Sequence, residues 1–361
     1  MPAPQSGAAP APAGVRSPPR LRLARLPTPF EPLERLGALV GGPRIWVKRD
    51  DLSDCAVSGN KIRKLEFTIA QARQENADTL VTCGGLQSNH CRATALLGAR
   101  LGLGVELVLR GEPSGIPDGN LFLDHLAGAT VHCYPARRYQ QEHEALLAAH
   151  AKRLQAQGRH PFVIPTGASD AIGVWGYVAA CAELAGDFAQ AGLEPRAGVC
   201  ATGSGGTQAG LTAGLRLHGL RAEAWGMAVC DDAAWFRNKV HADLASWQQR
   251  YGVALDTAAL AVNVLDDYIG AGYAQAGQDV FQTIGLVART QGLILDPVYT
   301  GKAFHGMLHE IRHGRFRDEK DIVFVHTGGL FGLFAQREQA LAGGALAGAG
   351  EPPRASRHRP H

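Results

Sequence analysis

The sequence predicts an α/β fold whose ligand site lies at the carboxyl ends of parallel strands. Three observations carry that prediction. Short runs of β-forming residues alternate with longer stretches of helical spacing, several strands run into glycine-rich junctions, and 361 residues exceed the usual span of one core. Two domains sharing a cleft accommodate such a chain.

Taken in order, residues 1–20 are rich in Ala, Pro, Gly and Arg without periodicity and are expected to be a disordered tail, as are residues 340–361. Between them the candidate parallel strands are TLVTC from 79, VELVL from 105, TVHCY from 130, FVIP from 162, GVCATG from 198, EAWGMAV from 223 and DIVFV from 321. Helices are expected over 61–75, 88–101, 141–157, 172–185, 206–217 and 276–290, several opening just after Gly or Ser. Boundaries near 60 and 165 would set apart a small domain, 61–164. Segments 21–60 and 165–339 would then pack together as a larger one.

Composition excludes several classes. A formal charge of +3, from 36 basic and 33 acidic residues spread along the chain, gives no basic patch for nucleic acid or a membrane surface. Neither partner is expected. The seven cysteines are odd in number and never form a close C-x-x-C pair, so no metal site is expected and reduced thiols in a cytoplasm fit best. The N-terminus lacks the continuous apolar run of a secretory signal, and no stretch is long and apolar enough to span a bilayer.

Six constellations can carry chemistry. In VKRDDLSDCAVSGNKIRKLEF a strand ends in a loop, and Gly59, Asn60 and Lys61 open a helix. A lysine held at such a junction and partly desolvated has a lowered pKa, which Schiff-base and proton-transfer chemistry require. In CGGLQSNHCRATA, Ser88 and Asn89 stand at a helix N-terminus, where main-chain donors and the dipole favour an anion. Ser88 can equally be a plain N-cap, and His90 is either a base or a packed side chain. In ATGSGGTQAG, glycines let the backbone wrap a phosphate while Ser204 and Thr207 add hydroxyls. A dinucleotide loop looks similar, but here the G-x-G-x-x-G register is imperfect and no nearby strand ends in a ribose-binding acid. DDYIGAGY holds Tyr268 and Tyr273, and LDPVYTGKAFHGM holds Tyr299, Thr300 and Lys302. These tyrosines can stack on a planar cofactor or relay a proton, or simply pack in a core. Last, VFVHTGGLFG ends a strand at His326 and Thr327, whose hydroxyl could meet a ring nitrogen.

Together LPTPFEPLERL, VKRDD, GNKIRKLEF, GGLQSNH, TGSGGTQAG, DPVYTGKA and HTGG resemble, in order over roughly residues 21–335, the D-cysteine desulfhydrase and 1-aminocyclopropane-1-carboxylate deaminase family. The resemblance implies the two-domain fold type II of enzymes that use pyridoxal 5′-phosphate. It implies that Lys61 holds the cofactor covalently, supported by Asn60, and that Asn89 bonds its ring hydroxyl. Gly203, Ser204, Gly205, Gly206 and Thr207 would cradle its phosphate, with Thr300 and Thr327 near the ring nitrogen. Ser88 matches a serine near the substrate carboxylate, and Tyr273 and Tyr299 match two active-site tyrosines.

Deaminases of this family look like DPVYEGK, desulfhydrases like DPVYTGK with HTGG, and L-cysteate sulfo-lyases like DPVYSAK. Thr300 and Thr327 therefore align this chain with the desulfhydrases. A neutral hydroxyl makes the cofactor ring a weaker electron sink than a carboxylate would, which suits β-elimination over cyclopropane opening. The chain departs from the family in SGNK, where GGNK is usual, and in AQAG after Tyr273. The expected activity is a lyase reaction on a small amino acid, D-cysteine foremost, in a cytoplasmic homodimer.

Overall fold

The computed structural model describes residues 17–346, so most of both expected tails lies outside the described residues. The described chain reaches inside each tail boundary. Arg20 pairs with Glu66 at 2.6 Å, and Ala340 is buried in a terminal helix.

Among the described residues, ten strands form two sheets. They are β1 (Phe30–Pro32), β2 (Arg44–Lys48), β3 (Thr79–Gly85), β4 (Gly104–Arg110), β5 (Thr130–Tyr134), β6 (Pro161–Val163), β7 (Ala197–Thr202), β8 (Glu223–Ala228), β9 (Asn263–Leu265) and β10 (Asp321–Val325). The larger sheet has the order β1-β2-β10-β7-β8-β9, and the smaller β5-β4-β3-β6. Among the described strands only β1 runs antiparallel. Continuous apolar strands are what a parallel sheet covered on both faces requires, and every residue of DIVFV in β10 is buried.

Twelve α-helices of the described residues cover the sheets. The first six are α1 (Glu34–Val40), α2 (Asn60–Gln74), α3 (Asn89–Leu101), α4 (Gly119–Leu126), α5 (Ala136–Ala156) and α6 (Val174–Ala191). The rest are α7 (Gly206–Leu217), α8 (Ala233–Tyr251), α9 (Gln278–Gln291), α10 (Thr300–Arg312), α11 (Leu330–Phe334) and α12 (Arg337–Ala342). The six helices expected from sequence are present, α5 starting five residues earlier than the expected 141. Among the rest, α8 had a legible stripe. Its Phe236, Val240, Leu244 and Trp247 recur every three or four residues and are all buried.

Helix α2 is buried along nearly its whole length, including Arg63, Lys64 and Glu66. Arg63 and Glu66 keep their charges because each is paired. The Arg63 guanidinium bonds Asp50 Oδ1 at 2.7 Å and Oδ2 at 2.9 Å, and Glu183 Oε1 at 2.7 Å, while Tyr177 Oη donates to Asp50 Oδ2 at 2.5 Å. Burial opposes the Asp50 charge, but the Arg63 field outweighs it and the carboxyl is held below its usual range. Lys48 extends the network to Asp187 at 2.6 Å.

Removing one partner would leave a charge buried alone. Arg63→Ala is expected to lower the unfolding free energy by about 3–5 kcal/mol in urea denaturation, far more than the loss at an exposed pair such as Arg138–Glu142.

Candidate active site

A cavity of about 700 Å³ opens between the two sheets. One wall comes from the ends of β3 and β4 and from α5, the other from the loops after β7, β8 and β10. The sequence-predicted residues that meet there are Asn60, Lys61, Ser88, Asn89, Gly203, Ser204, Gly205, Thr207, Tyr273, Tyr299 and Thr327.

Lys61 occupies the first turn of α2. The helix starts where Gly59 adopts φ +104°, and a methyl group built on Gly59 would sit 2.5 Å from the Thr327 carbonyl oxygen. The Asn60 amide donates to that same oxygen at 3.1 Å. Lys61 faces the cavity as a partly buried side chain, and desolvation lowers its amine to about 8. Beside it, Lys64 is pushed well below the usual lysine value by burial and then by Lys61. Lys64 Nζ donates to the Gly167 carbonyl at 3.1 Å and to Ser169 Oγ at 3.2 Å.

The glycine-rich loop turns at the N-terminus of α7, where cap residue Gly205 has φ +82° and no side chain to occupy the helix amides. Ser169 Oγ bridges Ser204 Oγ at 2.8 Å and the Gly206 amide at 3.2 Å, and Asn60 Nδ2 donates to Thr207 Oγ1 at 2.9 Å. Gly206 stands behind the lining, where a methyl group would meet Ser169 Oγ at 2.6 Å and Lys64 Nζ at 2.9 Å. Backbone amides at a helix start, with hydroxyls and lysines around them, can receive a phosphate. Sequence reasoning missed Gly167, Ser169 and Lys64, because nothing in their local spacing points at a loop distant in sequence.

On the opposite side, Ser88 Oγ caps α3 by accepting from the Cys91 amide at 3.2 Å, which leaves its proton free to donate. Asn89 Oδ1 is held by Asn120 Nδ2 at 3.1 Å, so its own amide nitrogen is the group available as a donor. Thr82 donates its single hydroxyl proton to the Ile164 carbonyl, so His90 Nε2 must be the donor in its 2.8 Å bond to Thr82 Oγ1. Burial lowers His90 well below its usual value, so this histidine is a neutral packed ring and a poor base.

Tyr273 and Tyr299 share a hydroxyl–hydroxyl bond of 2.6 Å. Burial raises Tyr273 to about 12 and Tyr299 well above its usual value, so both hydroxyls keep their protons at neutral pH. Lys302 donates to the carbonyls of Ile269 and Gly272, 2.7 Å each, and so ties down the loop that carries Tyr273. Tyr268 turns away to Glu310 and His309 at 2.6 and 2.8 Å and does not line the cavity.

Thr300 departs from expectation. Its hydroxyl bonds Asp296 Oδ1 at 2.7 Å and it lies outside the cavity lining. Asp296 accepts the amides of Val298, Tyr299 and Thr300 at 2.8–2.9 Å and thereby caps α10. Thr300 belongs to that cap, and Thr327 alone of the two threonines reaches the cavity.

Residues 21–328 match the family model described as pyridoxal-phosphate dependent enzyme. The chain belongs to this family. It is a pyridoxal-phosphate dependent lyase with the fold type II architecture. A D-cysteine desulfhydrase of Klebsiella pneumoniae is 41% identical over 323 residues, covering 88% of this chain and 96% of that enzyme. A mitochondrial bifunctional D-cysteine desulfhydrase/1-aminocyclopropane-1-carboxylate deaminase of Arabidopsis thaliana is 39% identical over 332 residues, covering 88% and 80%. The crystal structure of an ACC deaminase homologue superimposes with a TM-score of 0.82 at 34% identity, over 90% of this chain and 96% of that one. The desolvated lysine and the glycine loop at the start of α7 fit the family's cofactor.

The lowered lysine sets a pH dependence. An amine reacts as its free base, so pyridoxal phosphate uptake by cofactor-free enzyme should accelerate with pH and level off above about 8. Stopped-flow absorbance reads that profile, and a midpoint near the ordinary 10.5 would contradict the desolvated site.

Proposed function

We propose that this enzyme eliminates the thiol of D-cysteine, giving pyruvate, hydrogen sulfide and ammonia. The observation that carries the reading is Thr327, the neutral hydroxyl of the HTGG pattern, which lines the cavity at the end of β10. A site offering only neutral groups there suits a reaction in which a β-leaving group takes the electron pair away at once. Pyridoxal phosphate, when bound, supplies the electron withdrawal that acidifies the substrate Cα.

Each protein group has a part in this reading. Lys61 anchors the cofactor with Asn60 in support, Asn89 presents its amide to it, and the loop from Gly203 to Thr207 receives the phosphate. Ser88 and the first-turn amides of α3 take the substrate carboxylate. Lys61 Nζ accepts the Cα proton, for which a pKa of about 8 is well matched near neutral pH. The C–S bond breaks with both electrons going to sulfur, and the Tyr273–Tyr299 pair delivers the proton that sulfur needs. Water then completes the conversion to pyruvate and ammonia. The enzyme is further proposed to be a cytoplasmic homodimer, a reading consistent with seven unpaired cysteines and open to light scattering.

Assays of D-cysteine, L-cysteine, L-cysteate and 1-aminocyclopropane-1-carboxylate for 2-oxoacid release test the proposal. Pyruvate with sulfide from D-cysteine is expected. 2-Oxobutanoate from the cyclopropane substrate as the principal activity would assign the chain to deamination instead, a reading the bifunctional Arabidopsis relative keeps in view. Lys61→Ala should show no measurable turnover, and Tyr273→Phe should lower kcat by about 100-fold.

A further inference from the structure

A second cluster of chemically capable side chains lies away from the cavity, between α5 and the β4–β5 edge of the smaller sheet. In the parallel register Glu106 faces Thr130 and Val108 faces His132, so Glu106 and His132 are diagonal neighbours on one face. Helix α5 lays His150 over that face. His150 Nδ1 stands 3.1 Å and His132 Nε2 3.4 Å from Glu106 Oε2, and the three ligand atoms lie within 4.8 Å of one another.

We propose that Glu106, His132 and His150 bind a divalent ion of the zinc class. Bonds of about 2.0–2.1 Å in a tetrahedral site separate neighbouring ligand atoms by roughly 3.3–3.4 Å, close to the two spacings seen. Two imidazoles and one carboxylate form a borderline-soft donor set that suits zinc better than magnesium or calcium. The outer sphere is also in place, because Tyr134 Oη bonds His150 Nε2, the nitrogen turned away from the site, at 2.9 Å.

The competing explanation is a structural ion pair, since Arg153 bonds both Glu106 oxygens at 2.5 and 2.6 Å. That pair accounts for Glu106 and His150 but not for His132. The His132 Nε2 atom is shielded from solvent, points at the carboxylate and makes no hydrogen bond. Arg153 is about half exposed, at 45%, and can swing into solvent as an ion enters. A bound ion would fasten α5 to the sheet, and α5 contributes His143, Glu144 and Leu147 to the cavity wall.

Isothermal titration of zinc chloride into the holoenzyme, made without a histidine tag and freed of metal by chelation, tests the proposal. One ion per chain is expected. His132→Ala and His150→Gln should each weaken binding by at least about 100-fold, and Tyr134→Phe by about 10-fold, the range of an outer-sphere partner. Arg153→Ala should bind as tightly as the unaltered enzyme or more tightly, since it removes the competitor for Glu106. Absence of saturable binding would overturn the site, as would binding that both histidine variants leave intact. Should those variants fail to fold, cobalt(II) in the unaltered enzyme supplies the reading. A tetrahedral visible spectrum without thiolate charge transfer supports the three ligands, and a thiolate band or an octahedral spectrum refutes them.

Discussion

The site depends on how closely three backbone segments approach one another. Gly59, Gly328 and Gly329 all have left-handed φ, at +104°, +89° and +114°. A methyl group on Gly328 would sit 2.8 Å from the Gly59 Cα, and one on Gly329 would sit 2.5 Å from Asp296 Oδ1. No side chain larger than hydrogen fits at either contact. The loop before α2, the end of β10 and the cap of α10 are therefore pressed into one junction, and Lys61, Thr327 and Tyr299 project from it. Three motifs widely separated in sequence are thus one packing unit.

Helix α2 gives that junction a rigid backing. A helix buried on nearly every side would ordinarily be apolar all round, yet this one carries Arg63, Lys64 and Glu66 inside. Glu66 accepts the amides of Leu23 and Ala24 at 2.7 and 2.9 Å, binding the N-terminal segment to the helix. Arg63 holds Asp50 and Glu183 on another side. Such contacts require fixed partners at fixed angles, so they set the rotation of α2 about its axis more strictly than apolar packing would.

Much of this was legible in the sequence, for reasons that differ by element. The strands of both sheets stood out because parallel strands are continuously apolar, and the glycine loop because its composition is unusual. β1 (FEP) and β9 (NVL) escaped notice, since neither carries a run of β-forming residues such as the FVIP that marked β6. Lys61, Ser88, Asn89, Tyr273 and Tyr299 were found through ordered motifs, and the fold brings them to one cavity. Thr300 was misplaced because a motif letter does not say which way a side chain turns. Asp296, two residues from Val298, takes the Thr300 hydroxyl for a helix cap. Ser169 and Gly167 were invisible because their importance arises only when the loop after β6 meets the loop after β7.

The cavity has one wall that is also core and one that is also surface. Substitution around Lys61, Asn60 or the Gly203–Thr207 loop disturbs packing and ion pairing at once. Gln140 and Glu144 of α5, by contrast, line the same cavity from a helix face exposed to solvent. Changes there leave the folded interior untouched, and surface substitutions away from such interiors usually shift stability by under about 0.5 kcal/mol. Selection can therefore explore new substrates along the α5 wall while the cofactor wall stays constant, and this asymmetry makes the scaffold evolvable.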